Sequence, residues 1–214
     1  MAAVVNVWSK VGVTVQTVLG AAKIVTAISK ANPAVVSSVA HGLDNGDVVL
    51  VKCNGMIEVD QGVFEVANKT TDTFELRGLD STLFKTFTSG TVEEVTLGAA
   101  ASTVQDVNSS GGEAKEIDIS TVHGDIDVVV PGNKTAISYT FGNIWDPSDP
   151  ALLELKKADN VKGERVIQFE FATGAKVYFN CYPTASLAPG GSKGEVVTTQ
   201  TGFKLRGPIT AYAN

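Results

Sequence analysis

Apolar and polar residues alternate along most of this chain, which is the pattern of half-buried β-strands. The clearest alternation lies at residues 164–182. A three-residue loop at 172–174 would pair Glu170 with Lys176, and it would keep the apolar side chains on one face and the polar side chains on the other. The pattern therefore predicts a β-hairpin with one apolar and one polar face.

One segment breaks this alternation and has the features of a helix. Asp149 is a residue type that caps helix N-termini, and Pro150 suits the first helical position because its missing N–H has no partner there. Lys156 and Lys157 follow where cations complement the helix dipole. The apolar stripe is made of three leucines: Leu152, Leu153 and Leu155. We expect a short helix that packs against a sheet.

The first third of the chain divides into short strands and explicit turns. Residues 3–19 predict one or two strands. For residues 15–29 a helix is the alternative, but β-branched side chains favour a strand. Glycine- and proline-containing turns then separate the strands of a small module at 23–95. Its expected strands are 23–29, 34–40, 47–53, 62–67, 73–77 and 90–95.

Residues 97–113 are rich in Ala, Ser, Thr and Gly. We expect a long loop there, which in a compact domain is usually functional or disordered. Strands follow again, with polar turns between them. The expected strands are 114–119, 126–130 and 135–144, and the expected turns are 121–125 and 131–134.

Composition fits a turn-rich β protein of one large or two small domains: 214 residues, 43% hydrophobic, 19% charged and 21 glycines. No apolar run reaches the roughly 18 residues of a membrane span. The N-terminus lacks the pattern of a signal peptide, so we expect synthesis in the cytosol. The net charge of −6 and the absence of a clustered basic patch argue against a nucleic-acid-binding surface.

The residues that could carry chemistry are few and scattered. Cys53, Cys181, His41 and His123 are the only thiols and imidazoles. They lack the local spacing of a zinc site, and two distant cysteines do not indicate a disulfide framework. The glycine-rich stretch at 189–194 lacks the order of a phosphate-binding loop. The sequence therefore predicts no catalytic, cofactor or metal residues and no enzyme.

The C-terminal half of the chain resembles a known family. The segment VVVPGNKTAISYTFGNIWDPSDPALLELKKA (128–158), the hairpin around 172–174 and a last strand closing near 206–208 are similar to a major tail tube protein of a phage with a long, non-contractile tail. Residues 23–95 are in turn similar to small β-barrel inserts of ubiquitin-activating enzymes and phage structural proteins. The segments that carry this second resemblance are TAISKANPAVVSSVAHGLDNGDVV, GVFEVANKTTDTFEL and TSGTV.

The resemblance implies a mainly β fold: a β-sandwich tube domain with one short flanking helix, plus the inserted small β-barrel. The tube domain would comprise 1–22 and 96–214, and the module at 23–95 would face outward. Six copies would form a ring whose inner strands make a continuous barrel, and rings would stack into a tube in the virion tail. Double-stranded DNA would pass through it during ejection, without a cofactor or a membrane.

The resemblance also implies partners and surfaces. The partners would be further copies of the chain, the tape measure protein, the tail terminator and baseplate or tail-tip proteins. The long loop would fold onto a neighbouring subunit or ring. The residues expected to face the lumen are Gln168, Glu170, Lys176 and Asn180. Those expected at subunit interfaces are Trp8, Val104, Val107 and Trp145.

Other functional classes remain open on the sequence alone. One is a virion-surface or secreted binding module that recognises a glycan or a protein through the 23–95 barrel. A second is a cysteine-dependent hydrolase, which requires a reactive thiol. A third is a related phage component, such as a tail terminator or the tube of a sheathed tail.

Overall fold

The computed structural model describes residues 5–213 and is built almost entirely from antiparallel strands. Within these residues there are sixteen strands and a single helix. The predicted mainly β fold with one short helix is confirmed. Two apolar clusters organise it, one inside a barrel-like unit and one inside a sandwich, and a smaller third cluster lies where the two units meet.

The strands of residues 23–95 pair in a closed circuit around their own core. Strands β2 to β8 lie in this region, and the preceding strand, β1, belongs to the sandwich. The strands are β2 (Lys23–Val25), β3 (Ala27–Ile28), β4 (Ala34–Ser37), β5 (Val48–Asn54), β6 (Val63–Ala67), β7 (Thr73–Leu76) and β8 (Ser89–Ala100). Strand β2 pairs with β8 and β3 pairs with β4, which closes the circuit. All six expected strand positions in this region are therefore confirmed.

Strand β8 is longer than expected. It continues through residue 95 and pairs with β1 (Gly12–Leu19) as far as Thr14↔Ala100. The predicted boundary between residues 95 and 96 thus falls within one strand, which belongs to the barrel at its start and to the sandwich at its end. The division into an inserted module and a discontinuous tube domain stays a prediction.

The sandwich consists of two sheets that share one strand. Its remaining strands are β9 (Val104–Ser110), β12 (Ser138–Ile144), β13 (Arg165–Glu170), β14 (Lys176–Thr184), β15 (Thr198–Leu205) and β16 (Thr210–Tyr212). We call β8, β1, β13 and β14 the covered sheet, and the end of β14 with β15, β12 and β9 the open sheet. Aromatic rings fill the space between them: Phe141 lies 5.7 Å from Phe169, and Tyr139 stacks on Phe179 at 5.0 Å.

The hairpin formed by β13 and β14 has the register that the sequence predicts. Glu170 pairs with Lys176 and Phe169 with Val177. Gly174 takes a positive φ of 85°, which a residue without Cβ adopts at no steric cost. Alternation and turn chemistry were sufficient to fix this register.

The predicted helix, α1 (Pro150–Val161), is confirmed with its cap. The Asp149 carboxylate accepts hydrogen bonds from the backbone N–H groups of Ala151 and Leu152, at 2.9 and 3.0 Å. Two details of the prediction were wrong. Leu153 is 41% exposed rather than part of the buried stripe. The helix also runs one turn further than expected, so Lys156 and Lys157 are not at its end.

The long loop expected at 97–113 is wrong. Residues up to Ala100 belong to β8, and β9 pairs with β12, for example Phe141↔Val107. Small residues suggested a loop, but β1 and β12 supply backbone partners that local composition does not reveal. The expected turn at 131–134 is also wrong, because these residues belong to a strand.

The segment between β9 and β12 instead forms a separate two-stranded hairpin, which we call the free hairpin (β10, Ala114–Asp118, and β11, Val129–Lys134). Its strands pair only with each other among the described residues, and every residue of β10 is exposed. The long excursion of this chain is therefore a free hairpin at 114–134.

Candidate assembly surfaces

The polar face of the β13–β14 hairpin is covered by the barrel. Asn180 is fully buried, and its amide donates to Gln61 of the barrel at 3.2 Å and to Glu164 at 2.8 Å. Gln168 is 9% exposed on the same face. A side chain packed under another part of its own chain cannot line a solvent-filled channel, so the lumen prediction is corrected for Gln168 and Asn180.

A buried carboxylate joins the barrel to this face. Glu65 of β6 is 4% exposed and accepts a hydrogen bond from the Tyr178 hydroxyl at 2.8 Å. It pairs with Arg77 of the barrel, and Lys176 of the hairpin lies 3.7 Å away. Its backbone N–H donates to the Tyr212 hydroxyl at 3.0 Å. One barrel residue thus bonds both β14 and β16.

The pKa values of this cluster follow from its burial. Burial, and then the hydrogen bond to Glu65, raise the pKa of Tyr178. Burial also raises the pKa of Tyr212 to about 12. The hydrogen bond to Glu65 raises the pKa of Arg77. Both tyrosines are therefore protonated at neutral pH, and Tyr178 is able to donate to the Glu65 carboxylate.

The two other lumen candidates lie at the rim of the same face. Glu170 is exposed, and Lys176 is partly exposed beside Glu65. They are brought together by the hairpin register, since they are directly paired. Nothing in the single chain tests their position in an assembly, so both stay predictions.

The outer face of the open sheet is mostly polar and accessible, with the 40% exposed Ile144 at the end of β12 as an apolar member. Thr140 of β12 pairs with Asn108 of β9 and with Gly202 of β15. The Lys204 ammonium donates to the Ser138 hydroxyl at 2.7 Å. The side chains and glycines of this face are Asp106, Asn108, Ser138, Thr140, Gly142, Gln200, Gly202 and Lys204. Among these eight residues the charged ones are Asp106 and Lys204, which have opposite signs.

Sequence reasoning missed this face, although a signal was present. The segments 138–144 and 198–205 alternate aromatic or buried residues with Ser, Thr, Gly and Gln. This is the pattern of a sheet with one packed and one solvated face.

Three interface candidates meet at the edge of the open sheet. Trp8, Val104 and Val107 line one groove of about 230 Å³, beside Lys10 and Val11. Trp8 is 60% exposed although its ring lies 5.6 Å from that of Phe169. Strand β9 pairs with β12 on one side, and no strand within residues 5–213 pairs with its other side. The groove therefore lies beside a free strand edge.

The fourth interface candidate, Trp145, lies apart from that groove. It is 37% exposed, and its indole N–H donates to the Leu187 carbonyl at 3.0 Å. Its backbone N–H donates to the carbonyl of Val197. Trp145 holds the loop before β15, while part of its ring remains accessible. As interface residues, all four candidates stay predictions.

The two thiols have the environment of core residues. Cys53 and Cys181 are both free and buried. Burial, followed by Asp60 and Glu58, raises the pKa of Cys53 to about 11, and burial raises that of Cys181. The thiolate that a nucleophilic cysteine needs is therefore disfavoured at neutral pH. Across residues 5–213 no group of three or more His, Cys, Asp or Glu side chains is placed to hold a metal ion.

The one described helix, α1, is not long and apolar enough to cross a membrane.

A β-sandwich with a free strand edge can pair with another chain, as an assembling protein does. The family described as phage tail tube protein, TTP, matches residues 54–214 of the chain. The chain belongs to this family. It is therefore a structural component of a phage tail, located in the virion, and not an enzyme. Membership also implies self-assembly and association with other tail components. No curated protein matches the chain.

Proposed function

We propose that this chain is the major tail tube protein of a phage with a long, non-contractile tail. Six copies form a ring, rings stack into a hollow tube, and the tube conducts double-stranded DNA during ejection. The observation that carries the proposal is the open sheet, which combines an accessible, mostly polar face with a free strand edge on the side of the sandwich away from the barrel.

In this proposal the outer face of the open sheet lines the channel. Non-specific DNA binding depends on Lys and Arg contacts to phosphates. The face holds one lysine, Lys204, which donates to Ser138, and Asp106 has the opposite charge. Its other members are mostly hydroxyl, amide and glycine residues. Such a lining attracts phosphate groups only weakly, so DNA passes along it without binding.

The free edge of β9 closes the ring. An unpaired edge strand is a template for pairing with another chain, and closure into a continuous barrel removes it. The groove of Trp8, Val104 and Val107 lies beside this edge and is covered by the neighbouring subunit. The contact joins two different surfaces, and ring symmetry closes it.

The barrel faces outward. It covers the even-numbered side chains of β13 and β14, such as Tyr178 and Asn180, on the side of the sandwich opposite the open sheet. Residues 23–95 carry ten acidic and six basic residues, a net charge of −4. Most of the negative charge of the subunit is therefore carried on the outside of the tube.

The remaining partners follow from the tube itself. Inside it lies the tape measure protein during assembly, and at its two ends lie the tail terminator and the baseplate or tail-tip proteins. The subunit is synthesised in the host cytoplasm and ends in the virion tail.

Electron microscopy of the purified protein across a concentration series, alone and seeded with tail tips, tests the tube. Hollow tubes with a regular ring repeat are expected. Chains that remain monomeric even when seeded would contradict the proposal.

The lumen is tested by cysteine labelling. Gln200→Cys lies on the open sheet, and Leu83→Cys lies on the barrel, where Leu83 is 94% exposed. A bulky PEG-maleimide should label both variants as monomers but only Leu83→Cys in intact tubes. Equal labelling in tubes would refute a lumen at the open sheet.

A further inference from the structure

The free hairpin has one face with four partly exposed aliphatic side chains beside Lys115. Ile117 pairs with Val130, and the Ile119 N–H donates to the Val128 carbonyl at 2.9 Å. These four side chains lie on the same face and are 38–50% exposed. At the tip, Val122 and Ile126 are 97% and 80% exposed.

A partly exposed aliphatic face of this kind needs a cover. An isolated two-stranded hairpin is at best marginally stable in water, and it gains independent stability when an apolar face packs against another element. Residues 113–134 also carry five acidic and two basic side chains, a net charge of −3. The cover should therefore combine apolar and cationic groups.

The outer side of α1 has this combination. Leu153 is 41% exposed and Val161 is 73% exposed, with the exposed Lys156 and Lys157 between them. The acidic side chains of the helix are largely covered, at 16% exposed for Glu154 and 22% for Asp159, because Lys157 pairs with Glu154 and Lys162 pairs with Asp159. The helix thus presents lysines and aliphatic side chains outward.

A second exposed apolar area of the sandwich, around Trp145, fits the hairpin less well. Ile144, Trp145 and Val196 are exposed there, but the charged neighbours along the chain are Asp146, Lys193 and Glu195. Two acidic groups and one lysine would repel the acidic hairpin. Of these two surfaces, charge complementarity favours the outer side of α1.

We infer that the aliphatic face of the free hairpin of one copy packs on the outer side of α1 of a second copy. Ile117 and Ile119 contact Leu153 and Val161, while the acidic residues of the hairpin offset Lys156 and Lys157. No hydrogen bond or ion pair of residues 5–213 joins the two surfaces within one chain. Because the surfaces differ, the contact is heterologous and repeats from copy to copy. This inference rests on the proposed function and identifies the surfaces that lengthen the tube.

Charge reversal in two steps tests the contact by sedimentation of tubes. Lys156→Glu with Lys157→Glu should raise the critical concentration for tube growth more than about tenfold, because like charges would then meet in the contact. Adding Asp125→Lys and Asp127→Lys to the same chain should restore growth. Lys193→Glu, a single charge reversal outside the contact, should leave growth unchanged.

Circular dichroism and urea unfolding of each variant show whether it still folds. We expect normal folding, because all of these side chains are exposed. If the wild type forms tubes and the lysine reversals grow normally, or are not rescued by the aspartate reversals, this inference alone is overturned. If the wild type forms no tubes even when seeded, the proposed function fails, and the inference fails with it.

Discussion

The two hairpins that follow the barrel in the chain have similar sequence patterns but opposite surroundings. In β13–β14 the odd-numbered side chains, such as Phe179, pack inside the sandwich, and the even-numbered ones, such as Tyr178, pack under the barrel. In the free hairpin both faces are exposed, including Ile117 and Ile119. Alternation therefore specifies a strand, but the rest of the chain decides whether either face becomes part of a core.

The difference also separates folding from assembly. A residue in the covered hairpin contributes to the stability of the single chain, because its contacts form within that chain. A residue in the free hairpin has few such contacts and contributes mainly when a partner covers it. Four changes, from the largest expected effect to the smallest, test this separation.

Truncating the core of the covered hairpin should have the largest effect. Phe179 is fully buried between the two sheets, so Phe179→Ala should lower the free energy of unfolding by about 3–5 kcal/mol. Ile119→Ala, the matched truncation in the free hairpin, should cost less than about 0.5 kcal/mol. Urea unfolding of the monomers measures both, and equal losses would contradict the comparison.

Removing the buried carboxylate should come next. Glu65→Ala leaves Tyr178, Arg77 and Lys176 without their shared partner, and a broken buried ion pair costs about 3 kcal/mol. Glu116→Ala in the free hairpin is the matched control and should be neutral within about 0.5 kcal/mol. Hydrogen exchange at β6 and β14 shows whether the barrel loosens from the sheet. Unchanged protection from exchange there would argue against Glu65 as the residue that joins the barrel to the sheet.

Removing the helix cap should have a smaller effect. Helix α1 packs on β14, and Asp149 caps it through Ala151 and Leu152, so Asp149→Ala should cost about 1–2 kcal/mol. Asp118→Ala, whose exposed carboxylate accepts from the backbone N–H of the nearby Ser120, should not change thermal unfolding measurably. A larger loss from Asp118→Ala would mean that the free hairpin supports the fold.

The change with the smallest expected effect on stability at neutral pH is at the buried tyrosines. An unfolded tyrosine ionises near pH 10, whereas burial keeps the folded pKa of Tyr178 higher and that of Tyr212 at about 12. Above about pH 10 the unfolded chain therefore releases protons first, and stability falls as the pH rises. Tyr178→Phe should flatten this fall between pH 9 and about 11. An equally steep fall would assign it to other groups.

The features that could be predicted from the sequence are those that depend on residues close together in the chain. Asp149 and Pro150 marked the start of α1, and the three-residue loop set the pairing of Glu170 with Lys176. Each of these features involves residues a few positions apart. The same holds for the strands of the barrel, whose turns are punctuated by Gly and Pro.

The errors arose where a distant segment decides the outcome. Asn180 was expected in solvent because its strand face is polar, but Gln61, more than a hundred residues away, covers it. Val104 and Val107 lay in an expected loop, but β12 pairs with that segment. The open sheet was missed for the same reason, because its partners are also far apart in sequence.

Strand β8 has a mechanical consequence. It runs without interruption from Ser89 in the barrel to Ala100 in the sandwich, and only residues 20–22 separate β1 from β2 on the way in. No flexible tether therefore links the two units. A sideways load on the barrel would pass into the sandwich as shear along the backbone hydrogen bonds of β8. In the proposed tube, a force on the barrel would therefore be borne directly by the wall.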